Sequence, residues 1–326
     1  MIVITGAAGQ VGTVLVKTLA ERQEKIRAIV TEHDDLTPLK NYDIDIVEGD
    51  VRDREFLIEQ FKGVRFVYHL AGIVSITPGQ RDLLHEVNVQ GTKNVIDACK
   101  ITNVQRLIYT SSVHAFVELP HGQLIDETAP IDPERIIGDY AQTKAKATLL
   151  VREAIAEGLD AVIVYPSGII GPFSYTLSNM GQLFIDYCKG RIPVMIEGTY
   201  DFVDVRDVVH GTITAAEQAE RGEEFILSGY QITFKQIFYI LNNLTGRKAP
   251  ILYIPHWLLK LLVPLVSFFS KLLGKVPTLT SYALYTISSN SLFSHEKATK
   301  QLQYYPRHIV RTMKETIEWY EKIGKL

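Results

Sequence analysis

Apolar and polar positions along the first half of the chain follow two alternating rhythms. Short, mostly β-branched runs (Ile2–Thr5, Ile26–Val30, 44–48, 66–70, Arg106–Thr110 and 161–165) are separated by stretches of helical period (10–20, 54–61, 83–100 and 139–157). Near-continuous apolar runs predict strands buried on both faces, and the 3.6-residue period predicts amphipathic helices. Strands that alternate with such helices form a parallel sheet covered on both sides, and right-handed crossovers make it doubly wound. After Pro166 the rhythm loosens. Pro, Gly and aromatic residues crowd 167–202, and one apolar run, Glu224–Leu227, has the character of a returning strand. The rest, from Tyr230, reads mostly as helices and closes on an amphipathic one near 311–322. The expected fold class is therefore α/β: a doubly wound parallel sheet from 1–166 and 203–229, with a smaller, mostly helical C-terminal cap from 167–202 and 230–326.

Composition narrows the possibilities. A chain of 326 residues buries a full core. A formal net charge of −3 argues against a nucleic-acid binder, which needs a basic face. The two cysteines, Cys99 and Cys188, are far apart, as expected of a reduced, cytoplasmic compartment and not of a disulfide scaffold. The nine histidines include no HxH or HxxxH pair, so no metal site is expected. The first residues run directly into an apolar strand pattern with no basic leader, so no signal peptide is read. In and around the apolar region 251–273, Lys248, Lys260 and Lys271 leave uncharged runs of eleven and ten residues, interrupted by Pro255 and Pro264. These are too short for a transmembrane helix, which wants about 18 apolar residues in a row. A buried helix lining a pocket is the expected reading there, with a membrane-surface helix as the alternative.

The run Thr5-Gly6-Ala7-Ala8-Gly9-Gln10-Val11-Gly12 follows the first strand and opens the first helix. Glycines at these spacings permit a tight turn, close approach of a pyrophosphate and close helix–strand packing. The helix end supplies free N–H groups and a positive dipole end to phosphates. Dinucleotide binding is the expectation, in a unit of Rossmann type. NAD and NADP remain open: Thr31 and Glu32 end the second strand without a neighbouring Arg, and Glu32 is equally readable as a solvated loop residue. Asp50 and Val51, after the third strand, are placed to meet the adenine, although Asp50 also suits the cap of the next helix.

Tyr140 and Lys144 stand at i and i+4, on one face of a helix, and no other tyrosine has a lysine at that spacing. A lysine cation favours the phenolate and moves a tyrosine toward the working range of a general acid/base. Thr110-Ser111-Ser112 ends the fifth strand, on the edge where doubly wound sheets bind ligands. A Ser112 hydroxyl there would hydrogen-bond a substrate carbonyl, and a plain turn residue is the alternative. His114 and His121 lie between Ser112 and Tyr140, readable as facing the substrate or as surface residues.

With His69-Leu70-Ala71-Gly72, Asn88-Val89-Gln90-Gly91-Thr92, 166–172 and 202–207, this set resembles the extended short-chain dehydrogenase/reductase (NAD-dependent epimerase/dehydratase) superfamily over essentially the whole chain. Within it, 165–167 and 201–207 are most similar to dihydroflavonol 4-reductase-like and 3β-hydroxysteroid dehydrogenase-like members. The resemblance implies Tyr140 as general acid/base, Lys144 as the group that lowers its pKa and holds the nicotinamide ribose, and Ser112 as the residue that orients the substrate oxygen. It implies that Gly6, Ala8, Gly9, Gln10, Val11 and Gly12 hold the pyrophosphate. Leu70, Ala71, Gly72 and Thr110 would line the cofactor, and Pro166 and Ser167 its nicotinamide end. Asn88 would support a helix near the site, or be a buried structural residue. A homodimer through the helices at 83–100 and 139–157 is implied by analogy.

Three activities are compatible with these residues. The first is hydride transfer between NAD(P) and a ketone or secondary alcohol on a small, fairly apolar substrate. A nucleotide-sugar epimerase with tightly bound NAD is the alternative, and a non-catalytic dinucleotide sensor is a lesser one. The apolar stretch at 251–269, with Trp257, favours the first. A sugar 4,6-dehydratase is disfavoured, because Ser112-Val113-His114 lacks the carboxylate pair of that subgroup.

Overall fold

In the computed structural model, which describes residues 1–75, 79–248, 250, 252–255, 258, 259 and 281–326, the β-branched runs lie side by side. The first half contributes β1 (Ile2–Thr5), α1 (Gln10–Glu21), β2 (Ile26–Val30), β3 (Asp45–Glu48), α2 (Arg54–Gln60) and β4 (Phe66–His69). It continues through α3 (Arg81–Leu84), α4 (Gly91–Thr102), β5 (Arg106–Thr110), α5 (Asp139–Ala156) and β6 (Ala161–Pro166). Next come β7 (Gly168–Ile170), α6 (Asn179–Cys188), β8 (Val194–Ile196), β9 (Thr199–Asp204), α7 (Val205–Gln218) and β10 (Glu224–Leu227). Seven strands form one sheet in the order β10-β6-β5-β4-β1-β2-β3, and every neighbouring pair is parallel. The order reverses between β1 and β4, the point at which doubly wound sheets receive a ligand across the carboxyl ends of their strands.

Alternate residues of each strand point to opposite faces, which is why the strands read as continuously apolar. Val3, Val67, Leu107 and Ile163 pack on one side with Leu57 of α2, Val95 of α4 and Val151 of α5. Ile4, Tyr68, Ile108 and Val164 pack on the other with Leu15 of α1 and Ile213 of α7, joined there by Ala298, Leu302 and Tyr304 from the end of the chain. Each fully buried side chain of this size contributes about 1.5–3 kcal/mol, so the sheet is the rigid frame on which the site is mounted.

The remainder includes β11 (Tyr230–Thr233), α8 (Phe234–Thr245), β12 (Leu252–Ile254) and helices Ser281–Ser288, Glu296–Leu302 and Ile309–Lys322. A third apolar cluster joins Phe184 of α6, Phe238 of α8 and Ile317 and Tyr320 of the last helix. This part is less purely helical than its sequence suggests: β11, β9 and β7 form a small mixed sheet, and β12 pairs with β8. Strands of three to six residues leave too little periodicity to read. β9 runs across position 203. The helix expected over 83–100 is three consecutive pieces, with a wide π-turn, His85–Gln90, between α3 and α4. The pocket-helix reading of 251–273, Trp257 included, falls largely outside the described residues.

Candidate active site

The glycine loop is shaped by close packing. Gly6 has φ +70°, and a Cβ there would lie 2.7 Å from the Ala71 nitrogen, while a Cβ on Gly12 would lie 2.3 Å from the Gly6 carbonyl oxygen. A side chain at Gly6 would push the loop after β1 away from the end of β4, and one at Gly12 would push α1 away from that loop. Gly9 is the N-cap of α1, so no side chain satisfies the helix end, and the first turn carries no acidic residue. Ala8 and Val11 are half-buried against the core beside it. The side chain of Gln10 turns away from the helix end and donates to the Gly171 and Pro172 carbonyls at 3.1 and 3.3 Å.

At the end of β2 the Thr31 amide and hydroxyl both donate to Asp34, at 2.7 and 3.0 Å, and Glu32 is exposed. Asp34 escaped the sequence reading, since one carboxylate in an acidic loop carries no distinguishing pattern. Asp50 does not cap α2: Asp53 does, accepting from the Phe56 amide. Asp50 accepts from the Arg52 guanidinium instead, and that contact holds its carboxyl below the usual range. Val51 is buried against Gly91, where a Cβ would come within 2.7 Å of it.

Beyond β4, a hydrogen-bonded chain locks Leu70, Ala71 and Gly72 in place. The Thr92 hydroxyl donates to the Asn88 carbonyl at 2.7 Å, so it accepts from His69 Nε2 at 3.0 Å. His69 Nδ1 then accepts from the Thr5 hydroxyl at 2.8 Å, and Thr5 accepts from the Ala71 amide at 3.3 Å. Burial, reinforced by Lys144, lowers the His69 pKa to about 3, so the ring stays neutral, as this chain of bonds requires. Asn88, brought inward by the π-turn, accepts from the Ile73 amide at 2.8 Å and donates to the Ile73 carbonyl and the Thr143 hydroxyl at 3.0 and 3.1 Å. It therefore ties the loop after β4 to α5, one residue from Lys144.

α5 opens at Gly138 and carries both Tyr140 and Lys144 inward, one turn apart and buried. Lys144 Nζ donates to the Thr110 carbonyl at 2.7 Å and lies 4.9 Å over the Tyr109 ring. Burial lowers its pKa to about 7. Burial pushes the Tyr140 phenol up to about 12, opposed by a hydrogen bond with the Ser112 side chain. Ser112 caps the short 3₁₀ turn Val113–Ala115, accepting from the His114 amide at 3.3 Å. The structure thus gathers Ser112, Tyr140 and Lys144 at the end of β5.

It also brings in His114, whose ring meets Tyr140 edge-on, with centroids 6.1 Å apart. His114 Nε2 is hydrogen-bonded to the Tyr200 hydroxyl at 2.7 Å, and burial lowers the ring's pKa to about 4. His121 is exposed. Tyr200, from β9, stacks on His114, and Tyr282, from helix Ser281–Ser288, lies against Gly138 at the opening of α5, so an aromatic wall stands beside Tyr140. Neither was visible in the sequence, because each arrives from a distant element without a motif.

Two buried hydroxyls at the strand ends, those of Thr110 and Ser167, have no hydrogen-bond partner. Ser167 follows Pro166, the last residue of β6. Native proteins rarely leave such groups unpaired, so a ligand or an ordered water completes them. With the uncapped, acid-free helix end, they fit a dinucleotide lying across the edge from β1 to β6. Among the described residues no group of three or more His, Cys, Asp or Glu is arranged to hold a metal ion.

A doubly wound sheet with this phosphate loop and a Ser/Tyr/Lys set at its carboxyl edge defines a nicotinamide-dinucleotide enzyme. Residues 2–228 match the NAD dependent epimerase/dehydratase family, and the chain belongs to that family. It is 30% identical over 330 residues to sterol demethylase protein B of Methylococcus capsulatus, covering 99% of each chain. It is 29% identical to a putative dihydroflavonol 4-reductase of Synechocystis, covering 98% of this chain and 94% of the relative. The crystal structure of gox2253 superimposes with a TM-score of 0.88 at 29% identity, covering 100% and 99% of the two chains. The protein is an NAD(P)-dependent enzyme of the extended short-chain dehydrogenase/reductase type. No helix among the described residues is long and apolar enough to cross a membrane.

Proposed function

We propose that the protein transfers a hydride reversibly between nicotinamide and a ketone or secondary alcohol on a fairly apolar small molecule, with Tyr140 as general acid/base. The observation that carries this reading is the placement of Tyr140, Lys144 and Ser112 at the end of β5, beside the unpaired hydroxyls of Thr110 and Ser167. When bound, the cofactor supplies or accepts the hydride. Gly6, Ala8, Gly9, Gln10, Val11 and Gly12 receive its pyrophosphate, Thr31 and Glu32 its adenosine ribose, and Asp50 and Val51 border the adenine. Leu70, Ala71, Gly72, Asn88 and Thr110 line the middle, and Lys144, Pro166 and Ser167 the nicotinamide end. Glu32 and Asp34 with no Arg or Lys from 31 to 39 favour NAD over NADP.

The buried environment defines what each group does. Tyr140 rests protonated, because burial raises its pKa to about 12, and so holds a proton for the substrate oxygen. As that proton leaves, the phenolate and the Lys144 ammonium stabilise each other, and each offsets the desolvation of the other. Ser112 offers a second hydrogen bond to the same oxygen. The aromatic wall of His114, Tyr200 and Tyr282 suits an apolar substrate, in line with the relatives named for sterol and dihydroflavonol chemistry. Residues 1–166 and 203–229 are the cofactor-binding unit in this reading, with 167–202 and 230–326 covering the substrate. The setting is cytoplasmic. A homodimer through the helices at 83–100 and 139–157 belongs to this reading by analogy with the family.

Tyr140→Phe should lower turnover on the order of 10²–10⁴-fold while leaving cofactor affinity, followed by NADH fluorescence titration, unchanged. Turnover equal to wild type would remove Tyr140 from the chemistry.

A further inference from the structure

We infer that Tyr109 is a positioning residue for the reactive pair: the face of its ring stands in for a carboxylate and keeps the Lys144 ammonium charged at the end of β5. The inference rests on the reading of Tyr140 as the general acid/base with Lys144 as its supporting cation. Lys144 is buried, and its Nζ donates to the Thr110 carbonyl at 2.7 Å. Among the described residues no carboxylate pairs with it, and burial alone shifts its pKa. A buried ammonium without a counter-charge reverts to the neutral amine unless another group favours the cation. Only the charged form stabilises a phenolate at Tyr140.

The ring of Tyr109 is such a group. Lys144 Nζ lies 4.9 Å from its centroid, over the face. Within about 6 Å the negative face of an aromatic ring attracts a cation, most strongly where both are out of water. The order of residues in β5 produces the contact. Tyr109 points to the side of the sheet that α5 covers, and the next carbonyl, that of Thr110, anchors the ammonium at the strand end. The Tyr109 hydroxyl has no hydrogen-bond partner. Its hydroxyl neighbours are engaged elsewhere: Thr92 with His69 and Asn88, and Ser111 with Thr148 at 2.7 Å. The position therefore acts through the ring.

No titratable group around Lys144 replaces that face. Tyr140 shares the helix, and burial holds His69 of β4 and His114 of the turn after β5 neutral. The charged side chains of α3, the π-turn and α4 are exposed, apart from Asp97, which pairs with Arg54. Burial keeps the Cys99 thiol of α4 and the Tyr165 phenol of β6 uncharged.

The test follows the Lys144 side chain by NMR in the full-length protein carrying lysine labelled with 13C at Cε, its signal assigned by its loss in Lys144→Arg. Wild type is compared with Tyr109→Phe and with 3,4,5-trifluorophenylalanine at the same position, which keeps the shape of the ring while its fluorines withdraw charge from the face. Tyr109→Phe should titrate as wild type does, since it keeps the face and removes no hydrogen bond. The fluorinated ring should move the Lys144 midpoint down by about half a pH unit or more, because the neutral amine is then favoured. Equal midpoints with the plain and fluorinated rings overturn the inference. So does a fall in Tyr109→Phe as large as that with fluorine, which would assign the effect to the hydroxyl. A structural role for the ring would leave the midpoint where it is in both. Turnover of Tyr140→Phe separates the two readings: if it equals wild type, the general-acid assignment fails, whereas a fixed Lys144 midpoint with that turnover lost removes only the role of Tyr109.

Discussion

His69 shows how one buried residue ties acid stability to the site. Its ring bridges Thr5 and Thr92 as a neutral group, and burial moves its pKa from an ordinary value near 6.5 to about 3. The unfolded chain takes up this proton below about pH 6.5, and the folded protein does so only near pH 3. Between those values the unfolded state binds more protons, so stability falls as pH falls, by up to about 1.4 kcal/mol per unit for one such group. His114, lowered to about 4, acts with the same sign. Urea unfolding should therefore give a stability at pH 5 at least about 1 kcal/mol below that at pH 7, with a shallower slope in His69→Gln. A slope as steep in His69→Gln as in the wild type would contradict the neutral bridge. At this scale the sequence is legible where chemistry is local. Tyr140 and Lys144 share one helix face, and Ser112 ends a recognisable strand. His69, Tyr200 and Tyr282 act through partners 23 to 142 positions away (Thr92, His114 and Tyr140), and nothing in the residues themselves names those partners.

The opening of α5 sets the position of the reactive phenol. Gly138 adopts φ +103° and faces the Tyr282 ring, so alanine there meets both an unfavourable backbone conformation and a side-chain overlap at 2.1 Å. Gly138→Ala should cost about 1–3 kcal/mol in stability and should reduce kcat/KM well beyond any loss of cofactor affinity, because the displaced end of the helix carries Tyr140 and not the phosphate loop. Comparable losses in both quantities would place the disturbance elsewhere. Elements whose apolar runs or helical periods are complete were readable: the strands of the large sheet and the helices α1, α2 and α5 fall close to where the pattern puts them. The π-turn at His85–Gln90 was not, since one extra residue in a helical turn leaves the apolar rhythm almost unchanged while turning Asn88 toward Ile73 and Thr143.

Across the whole molecule, the end of the chain closes a face of the sheet that the first half builds. Ala298, Leu302 and Tyr304 are fully buried against Val162, Val164, Phe225 and Leu227. The Tyr304 hydroxyl donates to the Ser228 carbonyl at 3.0 Å, and Arg307 donates to Asp207 through its amide and guanidinium, each at 2.8 Å. A fragment ending at residue 229 should therefore lack a sharp thermal transition and expose apolar surface that binds a hydrophobic dye, despite containing the seven strands. A cooperative transition near that of the full chain would show that the return is dispensable. The alternating pattern announced a doubly wound sheet but not this closure, because an Ala, a Leu and a Tyr on a short helix and its exit are common on any helix. The return also gives protein synthesis a direction: a nascent chain leaves the apolar face of β6 and β10 uncovered from the completion of β10 until Tyr304 has left the ribosome, an interval in which a nearly complete sheet is open to aggregation.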